Sequence, residues 1–330
     1  WIGLDASVAA QPVGGTLNLR FGPYASDYAG FDGTTGMQHV KQAFATYRPG
    51  GKTGKFYLDF GKFDTFVGAE STNSWENHNY TRGVLYTLAQ PLFHVGVKAT
   101  YEATEKVAFV LMAVNGWSVN VDNNLGKSVG AQIRLSPTED LSINLAYYGG
   151  PDQADSKQIV YNGQDARADR GGNDSRFRHL IDLVVTANAT KKLSFVANGD
   201  YGTERLLGND TSATIESGKT ERVSWYGAMA GARFAFNDTF AAAVRGEVYW
   251  DPQGYTIGVF GTSSNAEALR GINHQIQTGT ITVEAKATEN LVIRLDNRYD
   301  HCNQRLFPSQ VRGHDNNQYT TTLGVVVKSK

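Results

Sequence analysis

The sequence contains a single cysteine, Cys302, among its 330 residues, which excludes an internal disulfide. It also contains no uninterrupted apolar run near the roughly 20 residues that a membrane-spanning helix requires. Charged residues are scarce at 19% and nearly balanced, 31 basic against 32 acidic. This balance argues against a nucleic-acid-binding surface, which needs concentrated positive charge. Low net charge with 41% hydrophobic residues also excludes an intrinsically disordered chain.

Motifs for catalysis and cofactor binding are missing as well. The seven histidines are scattered, and the sequence has no zinc-binding helix, no phosphate loop and no nucleophile elbow. Two acidic stretches, Asp122-Asn123-Asn124 and Asp315-Asn316-Asn317, lack the twelve-residue calcium loop with its closing glutamate, so a turn-forming role is preferred for both. We therefore predict no enzyme, no metal and no cofactor.

The sequence is rich instead in glycine, tyrosine and phenylalanine, with 36, 16 and 16 residues. Along many stretches, apolar residues alternate with small or polar ones. Between Leu141 and Tyr147 the odd positions are apolar and the even positions small or polar, the pattern of a strand with two unlike faces. Many of these runs approach the 9 to 11 residues that a tilted strand needs to cross a hydrocarbon layer. Comparable alternation recurs at 16–21, 55–60, 93–101, 128–135, 178–187, 193–201, 240–250, 291–299 and 319–327.

The connections between these runs alternate between short and long, as in outer-membrane barrels. Short turns are expected at 103–106, 136–140, 189–192, 237–238 and 287–290. Long connections are expected at 117–127, 151–175, 203–221, 251–272 and 301–318. We therefore predict an all-β fold, a transmembrane up-and-down antiparallel β-barrel of about 16 strands, forming one domain over 1–330. About fifteen strands are visible, the first from Ile2 to Val8, and we expect one more before Trp1.

One phase of the alternation carries charged residues of both signs on many strands. A dry core could not hold so many, because each buried charge costs several kcal/mol. We therefore predict a water-filled lumen with these residues lining the pore, although any one of them could equally brace neighbouring strands. The predicted pore-lining residues are Arg20, Asp59, Lys98, Arg134, Arg178, Asp182, Arg245, Glu247, Arg294, Asp296 and Arg298.

The connection over residues 61–90 differs from the others. Its aromatic residues make it too apolar to extend freely into water, and we predict that it folds inward as a constriction loop. A surface loop and a packed cap are the alternatives. Its predicted constriction residues are Asp64, Glu70, Glu76 and Arg82, with the three carboxylates facing basic residues of the wall.

Several of these segments resemble the beta-barrel porin-2 family of Gram-negative outer-membrane proteins. They are Phe56-Tyr57-Leu58-Asp59-Phe60-Gly61-Lys62-Phe63-Asp64-Thr65, Asn79-Tyr80-Thr81-Arg82-Gly83, Leu85-Tyr86-Thr87-Leu88-Ala89-Gln90-Pro91 and Val114-Asn115-Gly116-Trp117. The resemblance implies a passive channel in the bacterial outer membrane.

The predicted function is accordingly that of a porin through which small hydrophilic solutes and ions diffuse. Its expected partners are outer-membrane lipid and those solutes, with no nucleic acid. A homo-trimer and a monomer are both compatible with the sequence. The alternative function is that of a soluble or surface-exposed all-β module that binds a carbohydrate-type ligand through its long loops.

Overall fold

A computed structural model of the chain reveals an almost entirely β structure. The described residues are 2–23, 25, 36–122, 124, 126–153, 160–161, 164–165, 176–207, 220–260, 271–309 and 313–328. The strands, in chain order, are β1 (Ile2–Val8), β2 (Val13–Phe21), β3 (Val40–Tyr47), β4 (Phe56–Asp64), β5 (Phe93–Glu102), β6 (Val107–Val114), β7 (Ser128–Thr138), β8 (Leu141–Pro151), β9 (Val160–Tyr161), β10 (Gln164–Asp165), β11 (Phe177–Asn188), β12 (Leu193–Leu207), β13 (Thr220–Ala235), β14 (Phe240–Asp251), β15 (His274–Lys286), β16 (Leu291–Cys302), β17 (Phe307–Ser309), β18 (Gly313–Asp315) and β19 (Asn317–Val327).

Fifteen of these strands form one sheet in the order of the sequence, β1 through β8, then β11 through β16, then β19. The registered pairs are antiparallel, for example Leu4 with Leu19 and Leu295 with Leu323. The remaining strands form two separate two-stranded pairs, β9 with β10 and β17 with β18. The predicted up-and-down antiparallel topology, with fifteen visible strands, is therefore confirmed.

Strand ends differ from the prediction chiefly in the hairpin of β12 and β13. The predicted loop at 203–221 is shorter in the structure, because pairing continues to Leu207 with Thr220. Polar residues such as Thr203 and Arg222 continue the ladder there, since a backbone hydrogen-bond ladder does not depend on apolar side chains. The long connections predicted at 151–175, 203–221, 251–272 and 301–318 lie partly outside the described residues, as does Asn123.

Strand β15 illustrates how the two faces of the sheet differ. Its residues alternate strictly between buried and exposed from His274 to Val283. Buried positions include Thr278, Thr280 and Thr282, whereas Ile281 and Val283 are more than half exposed. We call the face with the buried side chains the polar face and the opposite one the apolar face. This inversion of the usual soluble pattern is the one expected for strands that face lipid.

Helical elements within the described ranges are short. They include the 3₁₀ turns Gly51–Thr53 and Ser74–Glu76, the π-helical turn Leu85–Ala89 and the α-helix Tyr255–Phe260, which we call α1. None of the helices in the described ranges is long and apolar enough to span a bilayer.

The chain divides into two compact units. Unit 1 comprises Trp1–Val67, Pro91–Leu135 and Asn144–Ile181. Unit 2 comprises Gly68–Gln90, Ser136–Ile143 and Asp182–Lys330. The middle of the predicted constriction loop thus belongs to the same unit as β12 through β16.

Candidate functional site

The central feature of unit 2 is the segment Gly68–Gln90, which we call the tethered segment. It contains the two turns Ser74–Glu76 and Leu85–Ala89, and the side chains of Leu85, Tyr86 and Leu88 are buried. The backbone N–H and C=O groups of a buried segment need hydrogen-bond partners even when no strand pairs with it. Here charged and polar side chains from the polar face of β11 through β16 supply many of those partners.

Arg245 on β14 is the most connected of these side chains. Its Nη1 donates to Glu70 Oε1 at 2.5 Å and to the carbonyl oxygen of Thr81 at 2.6 Å. Its Nη2 donates to Thr280 Oγ1 at 3.2 Å, and its Nε lies 3.1 Å from Glu247 Oε2. One guanidinium therefore joins two points of the tethered segment to strands β14 and β15.

Asp296 on β16 holds the middle of the tethered segment. Its Oδ2 accepts hydrogen bonds from the backbone N–H of Thr81 at 2.7 Å and from the Thr81 hydroxyl at 2.9 Å. Its Oδ1 accepts from Thr282 Oγ1 at 2.7 Å and from the N–H of Tyr80 at 3.3 Å. Asn79 donates to the same Thr282 hydroxyl at 2.7 Å. The carboxylate is fully buried, and it stabilises a turn that has no strand partner.

Two arginines of β16 contact carbonyl oxygens of the tethered segment. Arg294 Nη1 donates to the carbonyl oxygens of Ser74 at 2.8 Å and Asn77 at 3.0 Å. Arg298 Nη1 donates to the carbonyl oxygen of Arg82 at 2.6 Å. Hydrogen bonds from charged donors are stronger than neutral ones, so these contacts are effective anchors.

The two ends of the tethered segment are also held. At its start, the backbone N–H of Gly68 donates to Asp182 Oδ1 at 3.1 Å, and that of Ala69 donates to Asn198 Oδ1 at 3.1 Å. Near its end, the N–H of Leu85 donates to Glu247 Oε1 at 3.2 Å. A cavity of about 120 Å³ remains beside Glu70, Asn77 and Arg245.

Burial changes the titration of two groups of the tethered segment. Desolvation raises the pKa of the Glu70 carboxyl, and the neighbouring Arg245 guanidinium opposes this shift. Burial also lowers the pKa of His78, and the positive charges of Arg233 and Arg294 lower it further. Both shifts arise because the groups are held against the wall, away from water.

The polar face of unit 1 carries its own charge pairs. Arg20 Nη1 lies 2.6 Å from Asp5 Oδ1, and Lys98 Nζ lies 3.3 Å from Asp59 Oδ2. Lys41 pairs with Asp64, and Arg178 Nε lies 3.8 Å from Asp152 Oδ2. Lys98 also lies over the ring of Phe63, 4.5 Å from its centroid. Three of these pairs join neighbouring strands, and each pair gives a buried charge a partner of opposite sign.

The predicted constriction residues differ in the elements that they belong to and in their hydrogen-bond partners. Asp64 lies in β4, because Gly61–Asp64 continues that strand and pairs with β5, so the start of the predicted loop at 61 is corrected. Glu70 contacts Arg245 of β14. Glu76 instead bonds within its own segment, accepting from Ser71 and Asn73.

Arg82 also bonds within the tethered segment, to the Thr72 carbonyl and Ser74 Oγ. Arg134, predicted to line the pore, donates to Gln132 Oε1 on its own strand at 2.6 Å. Among the described residues, no group of three or more His, Cys, Asp or Glu side chains could hold a metal ion.

Lys62 is a buried charge that alternation alone did not identify. Asp59 and Lys62 are both buried although they are three residues apart, so the alternation changes phase between them. Gly61 has φ of 134° and lies so close to β3 that a Cβ there would be 2.2 Å from the Ala43 carbonyl oxygen. A glycine inside a strand that breaks its alternation is the signal that could have revealed it.

The comparison with family models decides the assignment. Residues 2–328 match the model described as Putative beta-barrel porin-2, OmpL-like. The chain belongs to this porin family. A search of curated proteins finds no significant match to the sequence.

Solved structures show the same fold at low sequence identity. The outer-membrane channel DcaP of Acinetobacter baumannii has a TM-score of 0.57 and 11% identity, covering 98% of this porin and 82% of DcaP. OmpT of Vibrio cholerae in a trimer form has a TM-score of 0.54 and 12% identity, covering 98% and 88%. OmpF of Salmonella typhi, in complex with daunomycin, has a TM-score of 0.56 and 12% identity, covering 98% and 88%.

Together the family and the fold define the molecule as an antiparallel transmembrane β-barrel of the bacterial outer membrane. The family assignment supports an outer-membrane channel and favours it over an enzyme. The family and the fold also favour the channel over the soluble carbohydrate-binding module considered from the sequence.

Proposed function

We propose that this porin lets small hydrophilic solutes and ions diffuse passively through a water-filled lumen lined by the polar face. The observation that carries the proposal is the segregation of the two faces. Arg245, Asp296 and Arg294 lie on one face, whereas apolar residues such as Ile281 and Leu295 are exposed on the other. The buried charges of the polar face are paired within the protein, a water-filled lumen accommodates the charges that stay partly exposed, and an apolar exterior suits lipid.

In this proposal the tethered segment narrows the lumen. Its dense anchoring supports this role, because a segment held at Gly68, Thr81 and Leu85 keeps a constant position while solutes pass. Arg245 and Asp296 use their side-chain hydrogen bonds to hold this segment. Solute contact is then left to wall charges that remain partly exposed, among them Lys98 and Arg298, whose side chains are 17% and 19% exposed.

Planar bilayer recording of the purified protein tests both parts of the proposal. We expect discrete steps of conductance with a linear current–voltage relation in potassium chloride. Complete absence of conductance from folded protein would refute passive diffusion. Deletion of residues 64–80 should widen the pore and raise the single-channel conductance, and unchanged conductance in a folded deletion variant would refute the constriction role.

We further propose a homo-trimer. Gly246 and Gly279 are paired across β14 and β15 on the apolar face, and nothing lies within 4 Å of a Cβ placed at either. They form part of a depression of about 440 Å³ that Ile281 and Tyr299 also line, which a neighbouring copy could fill. Native mass spectrometry in detergent tests this assembly. Gly246→Phe should shift trimer to monomer, and a wild-type protein that is monomeric would exclude the trimer.

A further inference from the structure

A second cavity lies in unit 2, between the end of the tethered segment, helix α1 and the connection that follows β16. Its volume is about 330 Å³, within the range of cavities that hold small molecules. Each residue that lines it belongs to unit 2. It is separate from the residues through which Arg245 and Asp296 hold the tethered segment.

One wall of this cavity is apolar, although it borders the polar face. Val84, Leu88 and Ile257 line it and are at least 94% buried. Ile276 contributes from β15 at a buried position, where the next three buried residues of the strand are threonines. Where this row of buried side chains borders the cavity, an apolar isoleucine stands in place of a threonine. Such a wall favours the apolar part of a ligand.

The pair of Arg298 and Asp300 on β16 also lines the cavity. Arg298 Nε donates to Asp300 Oδ1 at 2.7 Å, and Nη1 donates to the Arg82 carbonyl oxygen at 2.6 Å. These two bonds fix the plane of the guanidinium. Arginine has five N–H donors in a fixed fork, so the Nη2 group keeps donors for a ligand. The Arg298 side chain is 19% exposed and lines the cavity.

We propose that this cavity binds an amphipathic solute with a compact apolar body and a carboxylate head. The apolar body would pack on Leu88, Ile257 and Ile276, and the carboxylate would accept hydrogen bonds from Arg298. Because Asp300 already balances the charge of Arg298, recognition depends on both halves of the ligand. The inference rests on the proposed channel for solute access, but binding itself does not require conduction.

Ligand-observed NMR titration of the detergent-solubilised porin tests the site independently of transport. The probes are benzoate, acetate, benzamide and benzylammonium. We expect benzoate to bind most tightly, benzamide more weakly, and acetate and benzylammonium at least tenfold more weakly than benzoate. Equal binding of acetate would refute the apolar wall, and equal binding of benzylammonium would refute the role of Arg298. No binding by any probe would refute the site, even if bilayer recording shows an open channel.

Variants locate the binding within the cavity. Ile276→Thr should weaken benzoate binding about tenfold, as expected for loss of apolar contact in a pocket. Ile281→Thr, the same change on the opposite face of β15, is the matched control and should leave binding within about twofold. Thr87→Phe should fill the cavity without altering Arg298, because Thr87 is exposed and its hydroxyl bonds only the Gly83 carbonyl oxygen. Unchanged benzoate binding in both Ile276→Thr and Thr87→Phe would place the ligand elsewhere and overturn the proposal.

Discussion

Arg245 and Glu70 form a hydrogen-bonded ion pair of 2.5 Å in which the side chains are only 2% and 9% exposed. The same guanidinium reaches the Thr81 carbonyl oxygen, so one strand residue fixes two parts of the tethered segment that are eleven positions apart. Removing one partner of such a buried pair lowers the free energy of unfolding strongly, because the remaining charge loses its partner but stays desolvated.

We therefore expect Arg245→Gln to destabilise the folded porin by about 3 to 5 kcal/mol, the range for loss of one partner of a buried pair. Glu70→Gln should cost less, because Arg245 keeps its bonds to Thr81 and Thr280. The double variant should be more stable than the sum of the two single effects predicts. Urea unfolding from lipid vesicles measures all three values, and strictly additive effects would contradict an energetic link between the two residues.

Removal of the Asp296 carboxylate should release the middle of the tethered segment. Asp296→Ala leaves the N–H groups of Tyr80 and Thr81 without their acceptor, and each lost hydrogen bond to a charged group is worth about 1.5 to 3 kcal/mol. We expect larger current fluctuations in single-channel recordings and faster proteolysis within residues 76–82. Asp296→Asn keeps two acceptor positions at one oxygen and should show a smaller effect. Identical behaviour of both variants and the wild type would show that this anchor is dispensable.

The apolar face of unit 1 can be tested on β8. Leu145 is 48% exposed and its neighbour Asn144 belongs to the other face. Leu145→Arg should impair folding into membranes by about 2 to 4 kcal/mol if the position is near the midplane, whereas Asn144→Arg should be tolerated. Folding yield into vesicles, read from the heat-dependent gel shift, compares the two. Equal tolerance would contradict the assignment of the faces.

Gly61 should not accept a side chain. Its φ of 134° disfavours other residues, and an added Cβ would lie 2.2 Å from the Ala43 carbonyl oxygen. We expect Gly61→Ala to destabilise the fold by about 1 to 3 kcal/mol, the usual cost of such backbone strain. Gly199→Ala on β12 is the control, because the nearest atom to its added Cβ is the Gly227 carbonyl oxygen at 4.0 Å. Urea unfolding with matched midpoints for the two variants would rule out the strain.

His78 should make the tethered segment sensitive to acid. Burial and two nearby arginines lower its pKa from the ordinary 6.5, so the folded state binds this proton less readily than the unfolded state. The stability associated with neutral His78 is therefore complete above about pH 6.5 and is lost as the pH falls towards its lowered pKa. His78→Gln should remove this component from the pH dependence of unfolding. A variant with the wild-type pH profile would show that other groups are responsible.

Local pattern was enough to predict an antiparallel meander of about fifteen strands and most of their positions. The alternation from Leu141 to Tyr147 and the short turns between runs required no knowledge of distant contacts, because neighbouring strands of a meander pair along the sequence. The charged phase was predictable for the same reason, since Arg294 and Asp296 are two residues apart and must share a face. Alternation failed at Lys62, where a local distortion at Gly61 changes the phase.

The sequence by itself determined the unlike faces of the strands and the unusual composition of residues 61–90, because both are properties of short stretches of chain. Only the tertiary structure decided which charges hold the tethered segment. Thr81 and Asp296 are 215 positions apart, and Glu70 and Arg245 are 175 apart. Such partners depend on how the segment packs against the strands, and many acidic and basic residues satisfy the same sequence pattern. The physical reason is that a hydrogen bond requires its donor and acceptor to be about 3 Å apart. Sequence separation does not show which distant residues come that close.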